Sequence, residues 1–396
     1  MTAPWFFPMV ATLGVQTLMA LSLFVVPVIA PRAAADMGVD PALVGAYAAL
    51  AFGVGIVTSL ASGDLVRRWG AVRTSQTCLL LSAGASLSAA SGSLPLFALS
   101  AALLGAAFGP ETPASSHLLA RVTPPARRPL VFSLKQTGNQ YGGMAAGFFM
   151  PAVALSYGWQ AGMAALAVLC VTAAVLLEPV RRRYDDDAVP GAPLRLAGFG
   201  RALALVIGNG PLRRLAIAGI AFASVQLCLT TFLVSYGVTS LGLSLTSAGV
   251  AVAVAQTAGL VGRIGWGAVC GRWCSTRTLL VALGLIMSAA GALLALAAPG
   301  WPFWVLAMVC ALYGLTASGW NGIFLAEVAH LAPEGRTGEA TGGMIAVTFC
   351  GLVVGPLLFG LAVSSGPGYA GGYALMALAS LAGAAALALP SRGSRA

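Results

Sequence analysis

The sequence predicts an all-α polytopic membrane protein with twelve transmembrane helices in two pseudo-symmetric six-helix halves. Three observations carry this reading. The chain is 59% hydrophobic and only 8% charged, with a mean hydropathy of +0.91, where soluble domains carry about 25% charged residues. Apolar runs of about 18–25 residues, the length that crosses a bilayer, recur from one end to the other. The basic residues fall almost entirely on one side of those runs. The 50 glycines suit such a bundle, because small residues let membrane helices approach closely.

The expected spans lie at 5–30, 41–62, 74–92, 95–120, 130–155, 160–178, 213–236, 246–270, 277–298, 302–329, 339–364 and 371–389. The start at Met1–Pro8 is short and uncharged, so the first run is expected to stay as a helix and not to be cleaved as a signal peptide. With the N-terminus inside, 18 arginines fall on the cytoplasmic side and Arg32 alone on the other. That asymmetry follows the positive-inside rule. It predicts both termini in the cytoplasm of a multi-pass inner-membrane protein, and it accounts for the +10 net charge without nucleic acid. The longest polar stretch, 179–212, contains "RRRYDDD" with prolines and glycines. It reads as a cytoplasmic linker between an N-terminal bundle, 1–178, and a C-terminal bundle, 213–396. Seven scattered cysteines, with no histidine beside the Cys270 and Cys274 pair, read as small buried hydrophobes and not as a metal site.

An internal repeat supports two halves. "GDLVRRWGAVRT" (63–74) and "GAVCGRWCSTRT" (267–278) both read G-x4-R-W-x3-R-T at an offset of 204, and Gly45 aligns with Gly249 at the same offset. "LLARVTPP" (118–125) matches "EVAHLAPE" (327–334) at an offset of 209, as do Gly105 and Gly314. Parallel six-helix repeats are a transporter architecture.

On these residues the whole chain resembles the major facilitator superfamily. The 63–74 segment is similar to that superfamily's loop between spans two and three, usually G-x3-D-R-x-G-R-R/K, and the copy after span eight to its second-half version. The family's Asp falls here at Arg67 and at Gly271, which puts the usual outward-facing lock in doubt. Asp64, one turn earlier, is the candidate substitute. Asp64, Arg68, Arg73, Arg272 and Glu327 are the expected gating residues. The Gly-Pro pair of the antiporter signature is absent from span five, which has "GFFMPAV" (147–153); this disfavours a drug/proton antiporter.

Charges inside spans are costly, about 2.5–3.5 kcal/mol each, and mark functional positions. By a helical rise of about 1.5 Å per residue, Arg263, Glu111 and Lys135 lie roughly 13, 15 and 10 Å up their spans, near the midplane where such transporters hold substrate. "GRIGWG", around Arg263, resembles the eighth span of oxalate/formate and monocarboxylate porters, and that resemblance implies an arginine on the substrate carboxylate. The guanidinium fork suits a carboxylate and keeps its charge; a structural ion pair with Glu111 is the competing reading. Lys135 is the only lysine in the chain. With Gln136, Asn139 and Gln140 it forms one polar stripe at helical spacing, expected to face a cavity. Snorkelling to the cytoplasmic surface is the competing reading for the lysine.

Glu111, between Pro110 and Pro113, is expected to sit where those prolines break the helix. It either pairs with Lys135 or Arg263 or carries a proton. Glu327 is expected in a gate or loop salt bridge, and His117 has no evident partner. Gln16, Gln226, Trp320, Asn321 and Tyr141 complete the candidate substrate contacts, with Thr230 and Tyr236 as further hydrogen-bonding groups. There is no phosphate-binding loop, hydrolytic triad or metal constellation, so neither an enzyme nor a cofactor is expected. The expected activity is proton-coupled symport of a small organic anion by a monomer. The alternatives are dicarboxylate/monocarboxylate exchange, drug efflux, and a receptor or scaffold that does not transport.

Overall fold

The computed structural model describes residues 5–124, 128–192, 199–270, 274–333 and 337–389. The chain forms two compact units, Met1–Pro41 with Leu50–Leu196, and Ala42–Ala49 with Ala197–Ala396. Along the first part run α1 (Phe6–Met37), α2 (Val44–Leu60), α3 (Ser62–Trp69), α4 (Ala71–Ala90), α5 (Leu94–Val122), α6 (Arg128–Gln136), α7 (Gly138–Tyr157), α8 (Trp159–Leu176) and α9 (Glu178–Tyr184). Then follow α10 (Phe199–Gly208), α11 (Gly210–Thr239), α12 (Leu245–Val269), α13 (Thr276–Ala295), α14 (Phe303–Ala317), α15 (Asn321–Leu331), α16 (Thr337–Ser364) and α17 (Gly368–Ala388).

Local chemistry sets several helix ends. Gly38, in the left-handed conformation at φ 68°, closes α1 and donates its N–H to Ala34 and Ala35, as a C-terminal glycine commonly does. Asn209, Ser244 and Ser275 accept from the first-turn N–H groups of α11, α12 and α13, each satisfying a donor the helix cannot.

Among the described residues, ten helices are long and apolar enough to cross a membrane by length and composition. Two expected spans fall short of that measure. The third, α4, has span length but opens with Arg73, Thr74, Ser75, Gln76 and Thr77. The fifth is divided between α6 and α7 at Thr137, and α7 opens with Asn139, Gln140 and Tyr141.

Two expectations need correction. Pro110 and Pro113 do not break α5, which runs unbroken from Leu94 to Val122; proline's φ fits a helix, and packed membrane helices re-satisfy the freed backbone groups. The Lys135 stripe is not on one continuous helix. Thr137 turns its hydroxyl to Leu134 O at 2.6 Å, a local bond that competes with the helical ladder, though its φ and ψ, −66° and −16°, stay helical. The stripe is therefore interrupted at one residue, not scattered. The tenth expected span is one candidate span, Phe303–Val328, made of α14 and α15 with a turn at 318–320. The stretch 179–212 holds α9 and α10.

The packing repeats. α1 packs on α7 and α4 on α8; α11 packs on α16 and α13 on α17. At the offsets found in sequence, one backbone contact recurs. A Cβ on Gly105 would lie 2.1 Å from Ala51 O, and a Cβ on Gly314 would lie 2.0 Å from Ala255 O. Ala51 and Ala255 differ by 204, Gly105 and Gly314 by 209. A methyl fits at neither glycine unless the helices separate. Gly105→Ala and Gly314→Ala are each expected to destabilise the protein by about 1–3 kcal/mol. Gly14→Ala, where the added Cβ meets nothing within 4 Å, should leave thermal unfolding in detergent unchanged or slightly raised.

Candidate functional site

In the first unit the polar side chains converge on Lys135. Gly138 and Gly142, one turn apart at the start of α7, let that helix meet α1: a Cβ on Gly138 would lie 2.9 Å from the Gln16 side chain, and one on Gly142 would lie 2.5 Å from Thr17 O. This approach brings Gln16 against the start of α7. Lys135 and Glu111 are 2% and 1% exposed, so neither ion has water to solvate it. Lys135 Nζ donates to Glu111 Oε2 at 3.3 Å and to Gln16 Oε1 in a short hydrogen bond. Gln16 Nε2 then donates to Asn139 Oδ1 at 2.7 Å. Thr112 donates to Glu111 Oε2 at 3.1 Å, while Glu111 Oε1 is buried without a partner among the described residues.

Lys135 thus points inward to Glu111 and does not snorkel. Asn139 and Gln136 are half-buried and Gln140 is buried; the Oε1 atoms of Gln136 and Gln140 have no partner among the described residues. Tyr141 is exposed and lies outside the network.

In the second unit, Arg263 lies on α12 where that helix crosses the end of α14. The break at 318–320 leaves carbonyls of α14 without helical partners. Trp266 Nε1 donates to Leu315 O at 2.9 Å and Arg263 Nη2 to Ser318 O at 3.4 Å. Arg263 Nε is buried without a partner, and among the described residues no carboxylate lies within ion-pair distance of the guanidinium. Of the two expected partners of Glu111, the structure supplies Lys135. Gln226 Oε1 accepts from Trp320 Nε1 at 3.1 Å and from Asn321 Nδ2 at 3.2 Å. Trp320 is held edge-on between Phe222 and Phe324. Thr230 bonds back to its own helix and Tyr236 to Leu294 O and Ala297 O, so both are structural.

The charged residues outside the spans are arranged differently from expectation. Asp64 pairs with Arg67 at 3.6 Å; Arg68 is exposed; Arg73 Nη1 reaches Gln76 at 3.2 Å. Glu327 accepts a short hydrogen bond from Thr276. Arg272 lies outside the described residues. What sequence reasoning missed is the acidic run 185–187. Asp185 accepts the N–H groups of Val72 and Arg73, both at 2.8 Å, at the start of α4. Burial raises its carboxyl above the ordinary value, and those two N–H groups oppose the rise. Asp186 and Asp187 grip Arg121 at 2.7 and 2.6 Å, and Asp187 lies 2.6 Å from His117, which therefore has a partner after all. The Arg121 bond holds the Asp186 carboxyl below its usual 3.8. Three adjacent aspartates among only 11 acidic residues, in a chain rich in arginine, were the available signal.

With this geometry in place, comparison with known proteins is decisive for the family. The sequence model of the Major Facilitator Superfamily matches residues 12–344. The chain belongs to the Major Facilitator Superfamily. It is a polytopic membrane transporter, of a superfamily that carries small molecules and is not enzymatic. An uncharacterized MFS-type transporter of Mycobacterium tuberculosis (strain CDC 1551 / Oshkosh) is 27% identical over 370 residues, 90% of this chain and 79% of the relative. A POT family transporter in complex with 5-aminolevulinic acid superposes at TM-score 0.75 with 11% identity, over 95% of this chain and 94% of that one. A peptide transporter POT in complex with sulfate superposes at 0.75 with 16% identity, over 96% and 93%. A bacterial homologue of the human lysosomal transporter Spinster, inward-facing and unoccupied, superposes at 0.72 with 16% identity, over 98% and 95%. At these identities the structural likeness speaks for the superfamily fold.

Two outcomes follow. Lys135→Met strands a buried carboxylate and is expected to cost about 3–5 kcal/mol, whereas the paired change Glu111→Leu/Lys135→Met should recover most of that loss in thermal unfolding. Asp186 has a depressed carboxyl, so its stabilising contribution is present above the ordinary value of 3.8 and is lost as pH falls through the depressed one. In Asp186→Asn, the part of the acid-side loss of stability that falls in this range should disappear from a pH series of unfolding curves.

Proposed function

We propose that this chain is a secondary transporter of a small organic anion, a carboxylate, moved with protons across the cytoplasmic membrane by alternating access, with both termini in the cytoplasm. The observation that carries the reading is the Arg263 guanidinium, whose Nε is buried without a partner and which faces no carboxylate among the described residues. A guanidinium does not shed its charge, and a buried ion without a counter-ion is unfavourable. A carboxylate guest supplies both the charge and a two-pronged acceptor. The likeness of "GRIGWG" to oxalate/formate and monocarboxylate porters points to the same class.

The pairing of Lys135 with Glu111 favours symport over dicarboxylate exchange. Exchange would use two cations free for substrate, and Lys135 is already matched. A cationic drug calls for net negative charge in the spans; Glu111 with Lys135 and Glu327 with Arg263 leave no negative excess. Glu111 is the carboxyl suited to carry the proton, because its Oε1 is buried with no donor.

A thermal-shift screen of purified protein against carboxylates should find ligands that stabilise it, and Arg263→Gln should lose that stabilisation. Stabilisation retained in Arg263→Gln would remove the anchor. In proteoliposomes, uptake should follow an imposed pH gradient and lose that dependence in Glu111→Gln. Binding without any accumulation would favour a non-transporting receptor instead.

A further inference from the structure

Four of the seven cysteines, Cys78, Cys170, Cys228 and Cys310, are buried, as small apolar side chains in spans should be. Cys350 is exposed but lies within the α16 span. Cys270 and Cys274 differ from both kinds. They are half-buried and sit in the turn that leaves α12 and enters α13. Cys270 caps α12: its N–H reaches Trp266 O at 2.9 Å, and its ψ of 132° takes the chain out of the helix. Ser275, at ψ 155°, opens α13. Between these ends the backbones of Cys270 and Cys274 lie side by side in an isolated parallel bridge. Extended backbones paired in this way run about 4.8 Å apart and present paired side chains to one face. A disulfide takes Cα atoms about 4.4–6.8 Å apart whose side chains do not diverge, and the bridge meets that condition. A second observation puts the thiols together. Burial, then Cys274, then Glu327 push the Cys270 thiol above its ordinary value.

The repeat shows that the pair is no part of the scaffold. At the offset of 204 the first copy has Val66 and Gly70; α3 runs through Val66, and the Gly70 N–H closes on Val66 O at 2.8 Å. That turn is made without sulfur. The second copy carries two thiols there, and two residues further on Thr276 donates to Glu327 of α15. We propose that Cys270 and Cys274 are a modification site, a dithiol that a small disulfide of the glutathione type converts to a disulfide within the turn. One protein thiolate attacks the small disulfide; a mixed disulfide forms and one small thiolate leaves. The second protein thiolate attacks the protein sulfur of that mixed disulfide; the Cys270–Cys274 bond forms and the second small thiolate leaves. Two protein thiols are oxidised, one small disulfide is reduced to two thiols, and the two protons pass from the cysteines to the released thiolates. On the cytoplasmic side, where the proposed topology puts this turn, the pair is reduced in ordinary conditions and closes when the thiol pool is oxidised. Closure holds the passage from α12 to α13 in one arrangement, whatever solute the protein carries.

The test treats full-length protein in lipid nanodiscs with oxidised glutathione, then unfolds it in the presence of N-ethylmaleimide and digests it with trypsin. Cleavage after Arg263, Arg272 and Arg277 places the two cysteines in separate peptides, 264–272 and 273–277. From the wild type these should be recovered joined, at the sum of their masses less two hydrogens, and dithiothreitol should release them. Cys274→Ser lacks the second thiol and should retain glutathione on Cys270, where the wild type shows none; Cys270→Ser should retain it on Cys274. Closure should raise the unfolding temperature of the wild type and leave that of Cys274→Ser in place. Glutathione carried singly on the two cysteines of the wild type, with no joined peptides, overturns the proposal. So does recovery of both wild-type cysteines as maleimide adducts, or the absence of glutathione from both single variants. An unchanged unfolding temperature in the joined wild type overturns the constraint assigned to the turn.

Discussion

One ammonium group, taken out of water and given a single carboxylate, organises the first unit. Among the described residues of that unit, only its partner Glu111 is as deeply buried a charge. With Glu111 at 3.3 Å, Lys135 is neutralised but not saturated, and a second of its three donors goes to Gln16. The close meeting of α1 and α7 over Gly138 and Gly142 exists at the depth where that bond is made. Lys135 and Asn139, four residues apart across the interruption at Thr137, both reach the same glutamine. Buried ion pairs are seldom a gain in stability over apolar packing. This one is better understood through the order it imposes on its neutral neighbours.

The second unit solves the opposite problem. Its cation has no carboxylate among the described residues, and its contacts are carbonyl groups left over where α14 stops. Gln226 is pinned at Oε1 by an indole that can only donate. In the repeat, Arg263 stands where the first copy has Ser59, and Trp320 where it has Glu111. The scaffold contacts are shared between the copies, and the ionisable residues Arg263, Lys135, Glu111 and Glu327 within the spans are not.

Much of this was legible in the sequence because membrane insertion leaves a blunt record. Apolar length, arginine asymmetry and the two repeat offsets do not depend on side-chain geometry. Lys135, Glu111, Gln16 and Asn139 were each noticeable as polar residues in apolar runs, and so were Arg263, Gln226 and Asn321. The pairing of Glu111 with Lys135 was one of two that the sequence offered; the amide partners were not legible, because pairing depends on how far two helices slide and rotate, which no local pattern encodes. The helix ends were harder still. Pro110 and Pro113 are breakers by local rule, yet α5 passes through them; Thr137 and Ser318 are unremarkable by local rule, yet the helices divide there. The acidic run 185–187 reads as solvated linker from composition. Only the fold brings the start of α4 and the end of α5 beneath it.

A duplicated gene loses the memory of its origin fastest where side chains can change freely. At Gly105 and Gly314 they cannot, since a single added carbon would run into the backbone of the neighbouring helix. The polar residues that distinguish the two copies are free to diverge as cargo demands, while the crossing points beneath them stay closed to drift. Ancestry is thus written in the atoms the protein does without.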